Sequence, residues 1–311
     1  MDIWSHLIPE FSFEQVFVEP WTDLFDPFIW IFLMGLFVTA ACGFLGTFIV
    51  WRRMALVGDA ISHSVLPGLV IAFLLSQSRD TVPMFLGAVG AGVLTTGLIE
   101  VIHQKSRLKT DAALGIVFTT LFAIGVVLVS IYGDNVDLDT DCVLYGEIEH
   151  VTLEPLISVF GWFEAPGSVI RMGVVALLVI SLVMLFYRPL VVSSFDPGLA
   201  RSMGMNPALI HHALMSLLAI VVVSSFEAVG AVLVIAMLIF PGTTASLLSD
   251  RLPIILGLTL VIALIGAFLG MHVALWLDIS TAGAISTVIF GMFLLAWALA
   301  PRRGLLWRAF R

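Results

Sequence analysis

Nine apolar stretches constrain this chain more than any other feature of its sequence. They are residues 28–50, 57–76, 83–102, 112–132, 168–190, 207–226, 229–248, 253–276 and 281–300. An α-helix needs about 20 mostly apolar residues to cross the hydrocarbon core of a bilayer. Charged residues make up only 12% of the chain, against about 25% in soluble proteins, which excludes a soluble enzyme, a nucleic-acid binder and a disordered protein. The sequence predicts an all-α membrane protein, a polytopic bundle of about nine transmembrane helices.

The charged residues outside these stretches predict how the chain is threaded. Lys and Arg concentrate in the cytoplasmic loops of membrane proteins. With nine spans and an outside N-terminus, 12 of the 14 basic residues fall on the cytoplasmic side, all except Arg79 and Arg171. Acidic residues show the opposite bias, with six before the first span and eight in the polar loop 134–167. We therefore expect the N-terminus outside and the C-terminus in the cytoplasm.

Ionisable residues inside the spans are few, and each costs at least about 2.5–3.5 kcal/mol to insert. Asp59 and His63 in the second span are four residues apart, so they project from one helix face. Pro67 frees a backbone carbonyl near them. One carboxylate oxygen and one imidazole nitrogen form a half-site suited to Mn²⁺, Fe²⁺ or Zn²⁺. The alternative is that the two side chains satisfy each other or cap the helix.

Other ionisable residues near the spans give weaker signals. Glu227 at the boundary of the sixth span could be a further metal ligand or gate group, or a residue of an outer-surface turn. Glu100 and His103 are spaced like a ligand pair but lie where the third span meets the basic run 105–109, which favours a solvated span end, and His211 and His212 are similar. His272 in the eighth span is a lone histidine, a pattern more typical of hydrogen-bonded packing than of pore lining.

Nothing in the chain has the pattern of a nucleotide-binding loop. The glycine-rich run 87–92 lies inside an apolar span, and neither Lys105 nor Lys109 follows a glycine as a P-loop requires. We expect no cofactor of its own and no ATP hydrolysis by that route.

Four segments resemble motifs of one transporter family, the manganese/zinc/iron permease family of ABC importers. They are WRRMALVGDAISHSVLPG at 51–68, SFDPGLARSMGMN at 194–206, VGAVLV at 229–234 followed by PGTTA at 241–245, and APRRG at 300–304. The resemblance covers residues 30–305 and keeps the motifs in the family's order. The chain departs from the pattern at Glu227, where an uncharged or amide residue is common, and at Gly242, where alanine usually follows the proline.

The resemblance implies a type II ABC importer permease fold in the plasma (inner) membrane of a prokaryote. Residues 28–305 are then the permease domain in contact with lipid, and 306–311 a cytoplasmic tail. Residues 1–27, an acidic extracytoplasmic segment by their charges, have no matching role in the family. It also implies three kinds of protein partner: ABC ATPase subunits, an extracytoplasmic solute-binding protein, and a second permease, identical or paralogous. The carried divalent metal, Mn²⁺, Zn²⁺ or Fe²⁺, would be held by Asp59 and His63.

The same resemblance makes residues 194–206 a cytoplasmic coupling helix that docks on the ATPase. Asp196 is placed as its N-cap and Pro197 as its first helical residue. The family pattern assigns the coupling contacts to Asp196, Ala200, Arg201 and Gly204.

Two other classes of protein compete with this interpretation. An ATPase-independent secondary transporter would relay protons through Glu227 and Asp59, and segment 194–206 would then have no purpose. An intramembrane metalloprotease would need a His-Glu-x-x-His motif, which the sequence lacks.

Overall fold

The computed structural model describes residues 11–22, 24–77, 81–132, 148–159, 163–300 and 304, without the side chains of 81, 159, 163, 227 and 231. These ranges contain thirteen α-helices, named in chain order. They are α1 (Glu19–Thr22), α2 (Phe25–Trp51), α3 (Val57–Ser64), α4 (Leu66–Ser76), α5 (Thr81–Lys105), α6 (Thr110–Tyr132), α7 (Gly167–Leu185), α8 (Tyr187–Phe195), α9 (Pro197–Ser202), α10 (Pro207–Val229), α11 (Ala231–Leu248), α12 (Leu252–Leu277) and α13 (Thr281–Leu299).

The remaining elements lie towards the predicted outer side. A π-helical turn, Glu14–Val18, precedes α1, and a 3₁₀ helix, Ile148–Leu153, lies within the predicted polar loop 134–167. Strands β1 (Leu156–Val159) and β2 (Phe163–Pro166) form an antiparallel hairpin with Leu156 opposite Pro166. Apart from this small hairpin, the regular secondary structure of the described residues is helical.

The helices confirm the prediction of a polytopic bundle. Within the described residues, eight helical stretches are long and apolar enough to cross a bilayer, and α3 and α4 together form one of them, Val57–Ser76. The predicted span 229–248 coincides with α11, whose described apolar part, Val232–Leu248, is shorter than the others. Each of the nine predicted spans therefore corresponds to helical structure.

Two predicted spans differ in detail from the helices. The second is interrupted at Val65, just before Pro67, although the φ of −69° and ψ of −29° at Val65 remain helical. The sequence predicts that the fifth span runs to residue 190, but α7 ends at Leu185 and a new helix begins at Tyr187. Pro189 in the first turn of α8 has no N–H to donate to the carbonyl four residues earlier. It is therefore accommodated at the start of a new helix, whereas it would interrupt α7 if that helix continued.

Helix α2 runs through the centre of the bundle, where it packs against α7, α11 and α12. All of its residues from Val38 to Ile49 are buried. Helix α6 is the opposite case, since most of its apolar side chains are exposed to lipid or to a partner. Exposed apolar side chains are expected on the outer surface of a membrane bundle, because lipid tails are as apolar as they are.

The α2–α11 contact brings the two backbones together with almost no side chain between them. A Cβ atom on Gly46 would lie 1.7 Å from the carbonyl oxygen of Leu238, and one on Gly242 would lie 2.5 Å from Thr47 Oγ1. Small residues permit this approach, which replaces the missing hydrophobic drive for helix association in lipid. The contact also explains Gly242 in place of the usual alanine.

We predict that Gly46→Ala destabilises the protein strongly. The added methyl group clashes with backbone, which cannot move aside as a side chain can, so we expect a cost at or above the upper end of the overpacking range of about 1–3 kcal/mol. Thermal unfolding of the purified protein in detergent measures the effect. Gly257→Ala in α12 is the matched control, since a Cβ there meets nothing within 4 Å. Equal unfolding temperatures for the two variants would contradict the predicted contact.

Candidate functional site

Asp59 and His63 lie one turn apart on α3 and contact each other. His63 Nε2 is 3.3 Å from Asp59 Oδ1, and the two side chains are 37% and 36% exposed, respectively. The residues between them, Ala60, Ile61 and Ser62, are buried. In a membrane, a carboxylate with this exposure faces a water-filled path or another protein surface, because contact with lipid is too costly.

The surroundings of the pair hold α3 in place. On its buried side, Ser64 Oγ lies 2.7 Å from Thr95 Oγ1 of α5. On the other side, the rings of Phe118 and Phe122 of α6 are centred 6.1 and 6.2 Å from the His63 ring. These aromatic rings lie beside the imidazole.

The pair contains two groups that can bind a metal, one carboxylate oxygen and one imidazole nitrogen. Among the described side chains, no group of three or more His, Cys, Asp and Glu comes together as a fuller ligand set. Pro67 has no N–H, so the His63 carbonyl, four residues earlier, lacks its usual helical donor and can serve as another oxygen ligand. The contact is compatible with a metal half-site and equally with the alternative in which the two side chains satisfy each other, so the metal half-site stays a prediction.

Glu227 lies in α10, two residues before that helix ends at Val229. Its side chain is outside the described part of the structure, so its role as a ligand or gate group stays a prediction.

Residues 194–206 contain a short helix with defined ends. Asp196 Oδ1 accepts hydrogen bonds from the backbone N–H groups of Gly198, at 3.0 Å, and Leu199, at 2.9 Å. The expected N-cap is therefore present, and Pro197 begins α9. The helix itself, Pro197–Ser202, is shorter than the predicted segment.

The other end of α9 closes with a Schellman motif. Met205 N–H donates to the Ala200 carbonyl and Gly204 N–H to the Arg201 carbonyl, both at 3.0 Å. Gly204 has a φ of +77°, a conformation that glycine adopts without strain. Ala200 is completely buried and Arg201 is exposed. Asp196 and Gly204 thus shape the segment, Ala200 packs it, and Arg201 presents a charge.

The segment also carries exposed apolar side chains that the sequence reasoning missed. Phe195, Leu199 and Met203 are 64%, 49% and 59% exposed. They recur every four residues in a connection that is otherwise polar, and this spacing was the available signal. Exposed apolar residues on a connection between spans are typical of a protein-binding surface.

The expectation of solvated span ends is wrong for Glu100 and His211. Their side chains are each only 17% exposed, and His211 Nε2 lies 3.0 Å from Glu100 Oε2. The two residues come from α5 and α10, and only the packing of these helices brings them together.

His272 is held by hydrogen bonds, as a lone histidine in a span predicts. One ring nitrogen, Nδ1, is 2.6 Å from the Phe268 carbonyl, and Nε2 accepts from Trp21 Nε1 at 3.1 Å. The Phe17 ring stacks on the imidazole with 4.5 Å between ring centroids. These contacts tie residues 11–22 to α12.

The comparisons with known proteins agree on one family. The ABC 3 transport family matches residues 25–300. The manganese transport system membrane protein MntD of Bacillus subtilis is 42% identical over 91% of this chain and 95% of its own length. The zinc transport system membrane protein TroD of Treponema pallidum is 41% identical over 89% of this chain and 75% of its own.

A solved structure has the same fold. PsaBC from Streptococcus pneumoniae, solved in complex with Fab, superposes with a TM-score of 0.77 at 29% identity. The match covers 95% of this chain and 99% of that one.

We predict that Gly204→Ala loosens the C-terminal end of α9. The left-handed conformation costs a residue with a Cβ about 1–2 kcal/mol, which corresponds to roughly 5- to 30-fold faster amide exchange wherever the local end opens. Hydrogen–deuterium exchange of the peptide spanning 197–206 measures this. Gly204→Asn is the matched control, because asparagine tolerates the left-handed region better. Protection equal to the native protein in Gly204→Ala would contradict the motif.

Proposed function

Because the chain belongs to the ABC 3 transport family, we propose that it is the permease subunit of an ATP-driven importer of divalent transition-metal ions. The observation that carries the proposal is the Asp59–His63 pair, two metal-ligating side chains in contact on one face of a membrane-spanning helix. The similarity to manganese and zinc transport proteins over most of the chain supports it.

The pair is suited to hold an ion briefly and release it. Both side chains bind a cation only when deprotonated, and their donor atoms, 3.3 Å apart, are close enough to bind one ion together. Two side-chain ligands hold an ion less tightly than the four protein ligands of a closed structural site. Conduction needs such a balance, since a site that binds too tightly does not release its ion.

The ligand types limit the cargo without choosing one metal. Oxygen and nitrogen donors suit Mn²⁺, Fe²⁺ and Zn²⁺, whereas Cu⁺ prefers thiolates and thioethers. Cys42 does not supply a thiolate here, because it is buried in α2 with its sulfur 3.5 Å from Ser225 Oγ. The cargo is therefore one of the three divalent metals.

Energy for transport would enter through residues 194–206. With the N-terminus outside, this segment lies in the cytoplasm, the side on which the ATPase acts. Phe195, Leu199 and Met203 give it an apolar surface, and exposed Arg201 adds a positive charge beside them. Such a surface fits a groove on a partner ATPase, in which apolar anchors supply most of the binding free energy.

The complete importer would contain further subunits. A second permease, identical or paralogous, would stand opposite the exposed Asp59–His63 face and line the path with it. An extracytoplasmic solute-binding protein would deliver the metal at the outer side. The permease itself would bind no nucleotide. Its outward- and inward-open states would interconvert as the ATPase binds and hydrolyses ATP, because a ligand shifts such an equilibrium only if it binds one state more tightly than the other.

We predict that Asp59→Ala and His63→Ala each abolish metal uptake and leave assembly with the ATPase intact. Each substitution removes one of the two ligands and retains the buried face of α3. Uptake of ⁵⁴Mn²⁺ into proteoliposomes, with co-purification of the ATPase, measures both properties. Asp111→Ala and His212→Ala, which alter exposed side chains outside the site, serve as controls. Normal uptake by both site variants would refute the assignment.

We also predict that Leu199→Asp and Met203→Asp weaken ATPase binding at least about tenfold, which is about 1.4 kcal/mol. A buried charge replaces an apolar anchor in these variants. Titration of the detergent-solubilised permease with the purified ATPase gives the dissociation constants, and Ser202→Asp on the same helix is the control.

Unchanged binding by both variants would exclude this segment as the docking surface. Metal uptake driven by a pH gradient in liposomes that lack the ATPase would favour the secondary transporter instead.

A further inference from the structure

A network of polar side chains lies where α2, α5, α8 and α10 meet, and Arg52 is at its centre. The guanidinium Nε donates to Ser194 Oγ and Nη2 to Ser193 Oγ, both at 3.0 Å. The two hydroxyls donate in turn to the Leu190 carbonyl, at 2.6 Å from Ser194 and 3.2 Å from Ser193. Their lone pairs are therefore left to face the arginine.

The third arm of the network determines the protonation of a histidine. Arg52 Nη1 lies 3.0 Å from His211 Nδ1, and since a guanidinium can only donate, Nδ1 is the acceptor and carries no proton. The His211 proton is then on Nε2, which donates to Glu100 Oε2 at 3.0 Å. Gln104 Nε2 donates to the other carboxylate oxygen of Glu100.

The network is directional and balanced in charge. A cationic arginine and an anionic glutamate flank a neutral imidazole, and the hydrogen bonds run one way from Arg52 to Glu100. Burial lowers the pKa of Arg52, but a guanidinium starts from so high a pKa that it stays charged at neutral pH. With His211 and Glu100 each 17% exposed, breaking one link leaves poorly solvated polar groups without a partner, which is costly.

The network joins the two functional regions of the chain. Arg52 directly follows α2, and the tight turn after it, with Arg53 at a φ of +59°, leads into α3 and its metal pair. Ser193 and Ser194 end α8, just before the N-cap of α9. The Trp51 and Phe195 rings, 5.1 Å apart, add an apolar contact between the same two places.

We propose that Arg52, His211 and Glu100 form a positioning relay that carries movements of segment 194–206 to α3 and thereby couples ATP hydrolysis to metal release from Asp59 and His63. The relay rests on the proposed function. When the ATPase shifts α8 and α9, the serine–arginine bonds pull the start of the turn that precedes α3. The Glu100–His211 arm anchors the same guanidinium to α5 and α10. Segment 194–206 and the turn before α3 therefore move relative to these two helices.

The test measures the number of Mn²⁺ ions imported per ATP hydrolysed by the complete complex in proteoliposomes. Arg52→Lys keeps the charge but loses the planar fork that reaches three acceptors, and His211→Phe keeps the ring but loses both nitrogens. We expect the ratio to fall about 5- to 150-fold, the range of typical coupling between sites. His212→Phe, at the exposed neighbouring histidine, is the matched control and is expected to keep the native ratio.

The ratio separates positioning from a merely structural role. A loss of folded complex lowers uptake and ATP hydrolysis together and leaves the ratio unchanged, whereas a broken relay allows hydrolysis without transport. The combined variant Ser193→Ala, Ser194→Ala removes only two hydroxyl acceptors, so it tests the relay even if the larger substitutions prevent assembly. We expect a smaller fall in its ratio.

A native ratio in the assembled variants, including the double serine variant, overturns the relay. Failure of the unaltered complex to import any of the three metals overturns the proposed function instead, and the two failures are therefore distinguishable.

Discussion

The close crossing of α2 over α11 is the contact on which the rest of the structure depends. Gly46 brings the α2 backbone against the carbonyl of Leu238, and Gly242 does the same for α11 against Thr47. Two helices that touch through their backbones cannot slide or rotate without a clash, because no flexible side chain lies between them. The crossing therefore sets the position of the C-terminal end of α2, where Arg52 and the turn into α3 begin.

Helix α3 then has two faces with different roles. Its buried face is fixed by packing and by the contact of Ser64 with Thr95, while Asp59 and His63 occupy the other face. The proposed metal half-site would have its two ligands held at a fixed spacing by this well-anchored helix, and water, backbone or other groups would complete the coordination shell. An incomplete shell suits an ion that must leave again, since each ligand that is not fixed lowers the barrier to release.

The cytoplasmic side connects this site to its proposed source of energy. Segment 194–206 is shaped locally by Asp196 and Gly204, and its apolar side chains point outwards. Ser193, just before this segment, and Ser194, its first residue, accept hydrogen bonds from Arg52. Arg52 is thus a charged, partly buried link between the proposed ATPase surface and α3. Polar links of this kind are costly to leave half-made, so they favour movement as a unit over independent movement of the connected helices.

Local patterns in the sequence determined the helical bundle, the Asp59–His63 pair and the N-cap at Asp196, because each depends on residues within one or two turns of a helix. Tertiary structure alone decided the pairing of Glu100 with His211, the breaks at Val65 and after Leu185, and the crossing at Gly46. The physical reason is that hydropathy identifies a span but contains little information about which face meets which neighbour when all faces are apolar. Only packing decides how each helix is rotated about its axis, and it brought two side chains expected in solvent into a half-buried contact, Glu100 with His211.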